Sequence, residues 1–135
     1  MKKALLLLVA IVGLHNASMA KGSKAKTLTI EISFKGVEEG YDHLTKSEIY
    51  INGDYVGSTV EHKETRKISK TIEVPSNSFD FKLVNFAYYE GKWEEHTIEN
   101  NYSIDCVVDE RLSLGKKKKI VIVFDLDSET SFKVQ

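Results

Sequence analysis

Apolar residues in this chain recur at every second position, and after residue 26 no stretch keeps the i, i+3, i+4, i+7 spacing of an amphipathic helix. A period of two places alternate side chains on opposite faces of an extended strand. Leu28, Ile30, Ile32 and Phe34 alternate with Thr27, Thr29, Glu31 and Ser33. Ile49 and Ile51 lead into Asn52-Gly53, a pair that tolerates positive φ and so marks a tight hairpin, with Tyr55 and Val56 as the return arm. Ile68, Ile72 and Val74 share one face, and Pro75-Ser76-Asn77-Ser78 ends that strand. Phe79, Phe81 and Leu83 are in phase, but Val84, Phe86 and Tyr88 continue in the opposite phase. That change of parity predicts a β-bulge near Leu83 or a strand buried on both faces.

The clearest pair comes last. Tyr102, Ile104, Cys106, Val108, Leu112 and Leu114 keep one parity, and Ile120, Ile122, Phe124 and Leu126 answer them across Gly115 and four lysines. The pattern predicts one long hairpin joining Tyr102–Leu114 to Ile120–Leu126. About seven short strands separated by turns imply an all-β fold, a small antiparallel β-sandwich of immunoglobulin-like or transthyretin-like type, with a small barrel as the alternative. The domain is expected over residues 27–127, after a flexible lead at 21–26 and before a frayed C-terminal tail at 128–135, with docking of Phe132 and Val134 as the alternative.

The first twenty residues are of another kind. Lys2 and Lys3 precede an apolar run from Ala4 to Leu14, and Ser18-Met19-Ala20 has the small-x-small pattern cleaved by signal peptidase. The run is short of the ~20 apolar residues that span a bilayer. Cleavage after Ala20 puts Lys21, not an acylatable cysteine, at the new terminus. The expectation is a periplasmic or secreted protein without a stable membrane anchor. Two of the 19 basic residues and none of the 20 acidic ones lie in those twenty, so the remaining 115 residues carry a net charge of −3. That balance offers no electrostatic footprint for nucleic acid.

Ile49-Tyr50-Ile51-Asn52-Gly53-Asp54-Tyr55-Val56-Gly57-Ser58-Thr59 resembles the PEGA-type domain of bacterial envelope proteins, which opens with a strand, an Asp/Asn-Gly turn, and a second glycine before a small hydroxyl residue. Val74-Pro75-Ser76-Asn77 partly matches the later turn of that family, so the resemblance covers about residues 47–90. The chain departs from it in lacking a proline after Thr59 and a glycine at the later turn. The resemblance implies a β-sandwich envelope or binding module and no active site.

Few side chains suggest chemistry. Cys106 is in phase with Ile104 and Val108 and reads as a small core hydrophobe, with an intermolecular disulfide as the alternative. Asp125, Asp127 and Glu129 space carboxylates two apart, without the glycine or distal acid of a calcium loop. His62 with Glu61 and Glu64, and His96 with Glu94 and Glu95, lack the two-histidine spacing of a metal site. No catalytic, cofactor-binding or metal-binding set emerges, and the chain reads as a non-enzyme without a cofactor. Lys116 to Lys119 form a basic tip that suits a soluble turn or an anionic partner. Tyr88, Tyr89, Trp93 and Tyr102 gather around the turn Glu90-Gly91-Lys92, where aromatic faces beside acids and amides could stack on a sugar. The expected function is a non-catalytic binding or assembly module of the cell envelope, its partner another envelope protein or a glycan. The alternatives are a small exported inhibitor or protective protein, and a glycan-binding module using Tyr89 and Trp93.

Overall fold

The computed structural model describes residues 26–135. The segment 1–20, read above as a signal peptide, and the lead up to residue 25 lie outside the described residues. The rest is all-β, with ten strands and one short 3-10 turn at Ile98–Asn100. The strands are β1 (Lys26–Lys35), β2 (Leu44–Ile51), β3 (Asp54–Ser58), β4 (His62–Lys63) and β5 (Ile68–Val74), followed by β6 (Ser78–Tyr89), β7 (Lys92–Glu95), β8 (Val107–Ser113), β9 (Lys119–Asp125) and β10 (Thr130–Val134). They form two sheets that do not close into a barrel, so the fold is the sandwich and not the alternative. One sheet runs β10-β9-β1-β5. The other centres on β2 and β6, with β3 and β4 along one edge and β7 and β8 along the opposite edge.

The alternation predicts the inward faces well. Leu28, Ile30 and Ile32 of β1 meet Ile49, Ile51, Phe79, Phe81 and Leu83 of the facing sheet, all at most 4% exposed. The Asn52-Gly53 turn is a two-residue hairpin loop with φ of 52° and 85°, as both residues were expected to adopt. Cys106 is fully buried and free.

Three expectations are corrected. Tyr102–Leu114 and Ile120–Leu126 do not form a hairpin, because β8 pairs with β6 in one sheet while β9 pairs with β1 and β10 in the other. Parity says which face of a strand is buried and nothing about which strand lies beside it. The pairing of β1 with β9 is parallel, so the first sheet is mixed. Residues 128–135 are not a loose tail, since Thr130–Val134 pairs antiparallel with β9 and packs Phe132 and Val134 against the core.

The parity change in β6 proves to be burial on both faces over a short span. Its register with β2 and with β8 runs without a break, and Leu83, Val84 and Asn85 are all buried. The inward series continues beyond Leu83 as Asn85 and Ala87, so a polar residue takes a core position. Ile122 lies between Ile32 of β1 and Phe132 of β10 and is fully buried. Ile122→Asp places a charge there without a partner, at a cost of several kcal/mol against a total stability of roughly 5–15. Circular dichroism and urea titration should find this variant unfolded.

Candidate functional site

The inward side of the β2–β6 sheet turns polar toward one end of the sandwich, facing the apolar residues of the other sheet. Thr45, Ser47, Thr59, His62, Glu64, Asn85 and His96 are all buried. Buried polar groups persist where hydrogen bonds replace those lost to water. The Asn85 amide nitrogen lies 2.7, 3.0 and 3.1 Å from Thr45 Oγ1, Ser47 Oγ and the Lys46 carbonyl. Thr45 in turn donates to the Phe86 carbonyl at 2.9 Å, and the Ser47 N–H donates to Thr59 Oγ1 at 2.9 Å. These bonds stitch β2 to β6 and bring the chain after β3 back over β2.

Above this layer sits Glu64, 1% exposed, in the turn after β4. Its Oε1 accepts two hydrogen bonds from His43, from the backbone N–H at 2.9 Å and the ring Nδ1 at 3.0 Å. The Glu64 N–H donates back to the His43 carbonyl at 3.2 Å. Asp42 anchors the same turn by accepting from the Thr65 hydroxyl at 2.7 Å and its N–H at 3.2 Å. With Nδ1 turned to the carboxylate, the His43 ring keeps Nε2 for other partners.

Among the described residues Glu64 Oε2 finds no hydrogen-bond donor; it lies 3.6 Å from His96 Nδ1, which likewise finds no partner there. Burial pushes the Glu64 carboxyl above its ordinary range, against the bonds from His43 that favour the ionised form. Burial, helped by the nearby His43, lowers His96 to about 4, so its ring is neutral at pH 7. His96 stacks on Tyr102 with ring centroids 4.2 Å apart, and the Tyr102 hydroxyl donates to Glu94 Oε1 at 2.8 Å.

Four connections meet over this cluster: residues 36–43, the turn at 64–67, the segment 96–106, and the β9–β10 turn. They enclose two adjoining hollows. One, of about 270 Å³, is floored by Glu64 and His96 and rimmed by Glu38, Ser103 and Asp127. The other, of about 410 Å³, lies against Tyr89, Glu90, Lys92 and Glu94. Tyr41, His43, Asn101 and Tyr102 line both, so the two hollows form one cleft. Gly36, at φ 76°, lets the first loop pass Asp127 closely, since a Cβ there would lie 2.5 Å from Asp127 Oδ2.

The four aromatic residues expected to form one ligand surface are split between two. Tyr88 and Trp93 are cross-strand partners facing outward from the sheet, their rings 5.3 Å apart, with Lys46 Nζ 4.5 Å above the Trp93 ring. Tyr89, one position on, points the other way and meets the His43 ring edge-on at 6.0 Å, on the cleft side with Tyr102. Neighbouring residues of a strand cannot share a face, so no single ligand can stack on both pairs.

The other candidates lie apart. Glu64 belongs with His43 and His96 and not with His62, whose Nδ1 is 2.8 Å from the Lys63 carbonyl. Asp127 reaches the cleft, whereas Asp125 Oδ1 accepts from the Asp127 N–H inside the turn. Lys116, Lys117 and Lys118 line a separate hollow at the opposite end with Lys26. No three His, Cys, Asp or Glu side chains among the described residues are placed to hold a metal ion. The grouping of His43, Glu64 and His96 had no signature, because the three come from separate connections.

No protein-family model matches the chain, and no curated protein matches it. Two solved structures align over most of it. One, described as "Trapped Toxin", is 11% identical over 84% of this chain with a TM-score of 0.37. Another, described as "Crystal Structure of Gram Negative Toxin", is 12% identical over 82% with a TM-score of 0.34. The chain spans only 24% and 23% of the lengths of those two proteins.

Two measurements test the buried cluster. Because the folded protein holds His96 neutral down to about pH 4 against an ordinary value of 6.5, its contribution is intact above 6.5 and is lost as pH falls toward 4. His96 alone accounts for a loss of about 3 kcal/mol over that window, offset in part by Glu64, whose raised carboxyl works in the opposite sense, and urea titrations should find the loss much reduced in His96→Gln. His62, also lowered by burial, leaves a residual slope of the same sign. In Glu64→Gln the amide keeps the acceptor for His43 and sets an N–H donor against His96 Nδ1. That variant should gain ~1 kcal/mol, whereas Glu64→Leu should lose roughly 2–4 by leaving His43 unpaired.

Proposed function

We propose that this protein is an exported, non-catalytic binding module of the cell envelope that receives its partner in the cleft over Glu64. The observation that carries this reading is the joining of two hollows by shared side chains, with exposed aromatic rings at the rim and a fixed polar floor. Binding sites concentrate on loops that a rigid scaffold positions, and sites of this size suit a side chain or a sugar ring. Tyr41 is 65% exposed and Tyr89 48%, so both offer apolar faces to an incoming group.

The hydroxyls and the thiol nearest the cleft favour binding over nucleophilic catalysis. Ser103 Oγ donates to the Leu126 carbonyl at 2.9 Å, and Tyr102 donates to Glu94. Burial raises the Cys106 thiol well above the range in which a thiolate forms. The segment 1–20 supports export, and the resemblance of Ile49–Thr59 to the PEGA-type hairpin supports an envelope setting. An exported inhibitor would use the same cleft, and the identity of the captured partner separates the two.

A photo-crosslinking amino acid at Tyr41 should trap a defined partner in native envelopes, and the same group at Tyr55, 57% exposed on β3, should not. The double variant Tyr41→Ala/Tyr89→Ala should reduce capture about tenfold or more without lowering Tm, since the loss falls on rim contacts. Equal trapping from Tyr55 would overturn the assignment of the cleft.

A further inference from the structure

The charge of the cleft says which chemical group it accepts. Glu38, Glu64 and Asp127 line the smaller hollow, and Glu90 and Glu94 the larger, against Lys92 as the one lysine of the two linings. A site so lined repels phosphates, sulfates and uronic acids and draws in cations. Glu64 contributes from the floor, at 1% exposure, with Oε2 left without a donor among the described residues. A buried carboxylate oxygen lacking a donor carries an unmet electrostatic demand that a cation above it answers. The walls add to this, since Tyr41, Tyr89 and Tyr102 border the cleft with aromatic rings, and such faces attract ammonium groups. With Nδ1 committed to Glu64, Nε2 of His43 is the ring's remaining polar atom at the place where the hollows join.

We propose that the cleft over Glu64 binds a primary ammonium group, held between the carboxylates of Glu38, Glu64 and Asp127 and the rings of Tyr41 and Tyr102. This deepens the binding-module reading and rests on it. An ammonium group of this kind comes from a lysine side chain on a protein or from a free polyamine. Lysine fits the envelope setting when the partner is a protein, and a polyamine presents the same head on a smaller body.

The test is a ¹H–¹⁵N NMR titration of the protein from Lys21 onward, using an acetyl-Gly-Lys-Gly-amide peptide, its Nε-acetylated form, spermidine, and a neutral oligosaccharide such as chitotriose. The lysine peptide or spermidine should shift the amides of Tyr41, His43, Asn101 and Tyr102, and the acetylated peptide should not. Raising NaCl from 50 to 500 mM should weaken binding severalfold. Glu64→Gln should weaken it about tenfold, and so should the rim variant Glu38→Gln/Asp127→Asn, which leaves the buried cluster untouched. Shifts with spermidine alone support the proposal and make the source a free amine, while shifts with the peptide make it a protein. Equal shifts from the acetylated peptide, an unaltered affinity in the rim variant, or no shift with either amine would overturn it. If chitotriose moves the same amides where the amines do not, the cleft stands as a binding site and the ammonium assignment falls. If crosslinking from Tyr41 also captures nothing, the module reading falls with it.

Discussion

The buried carboxylate of Glu64 is the constraint on which the loop end of the molecule depends. Its Oε1 takes both the backbone and ring donors of His43, so one side chain fixes the end of the first connection as β2 begins. Its Oε2 faces His96, where β7 gives way to the segment 96–106. Desolvating a carboxylate opposes folding unless donors compensate, and here the compensation covers one oxygen and leaves the other open. Buried polar atoms without a partner are few in native proteins. The same carboxyl that gives up stability forms part of the cleft floor, with Glu38 and Asp127 at the rim.

The polar layer beneath explains how such a group is tolerated. Asn85 occupies the core position that Phe79, Phe81 and Leu83 lead toward, and its amide ties Thr45 and Ser47 of the neighbouring strand. The apolar residues of the other sheet, from Leu28 and Ile30 to Ile120 and Ile122, supply the hydrophobic burial that holds the sheets together. Parallel pairing of β1 with β9 and addition of β10 complete the first sheet, so the C-terminal residues are structural.

Alternation of residue type determined which faces are buried, from Leu28 to Phe34 and again from Ile120 to Phe124, because a strand has only two faces and water sorts them. Asn52-Gly53 determined its own turn, since the φ values it needs are a local property of those residues. Tertiary structure alone decided that β8 and β9 belong to different sheets, because strands of equal parity satisfy the same core from either side. It also decided the fate of residues 128–135, where Phe132 and Val134 make too short a pattern to reveal a strand without β9 beside them. The aromatic set was legible as residues and misread as a surface, since Tyr88 and Tyr89 diverge once β6 fixes their directions. His43, Glu64 and His96 carry no common spacing, being 21 and 32 positions apart. Only the closing of separate loops over a polar core brings them together, and local sequence cannot encode a distance set by that closure.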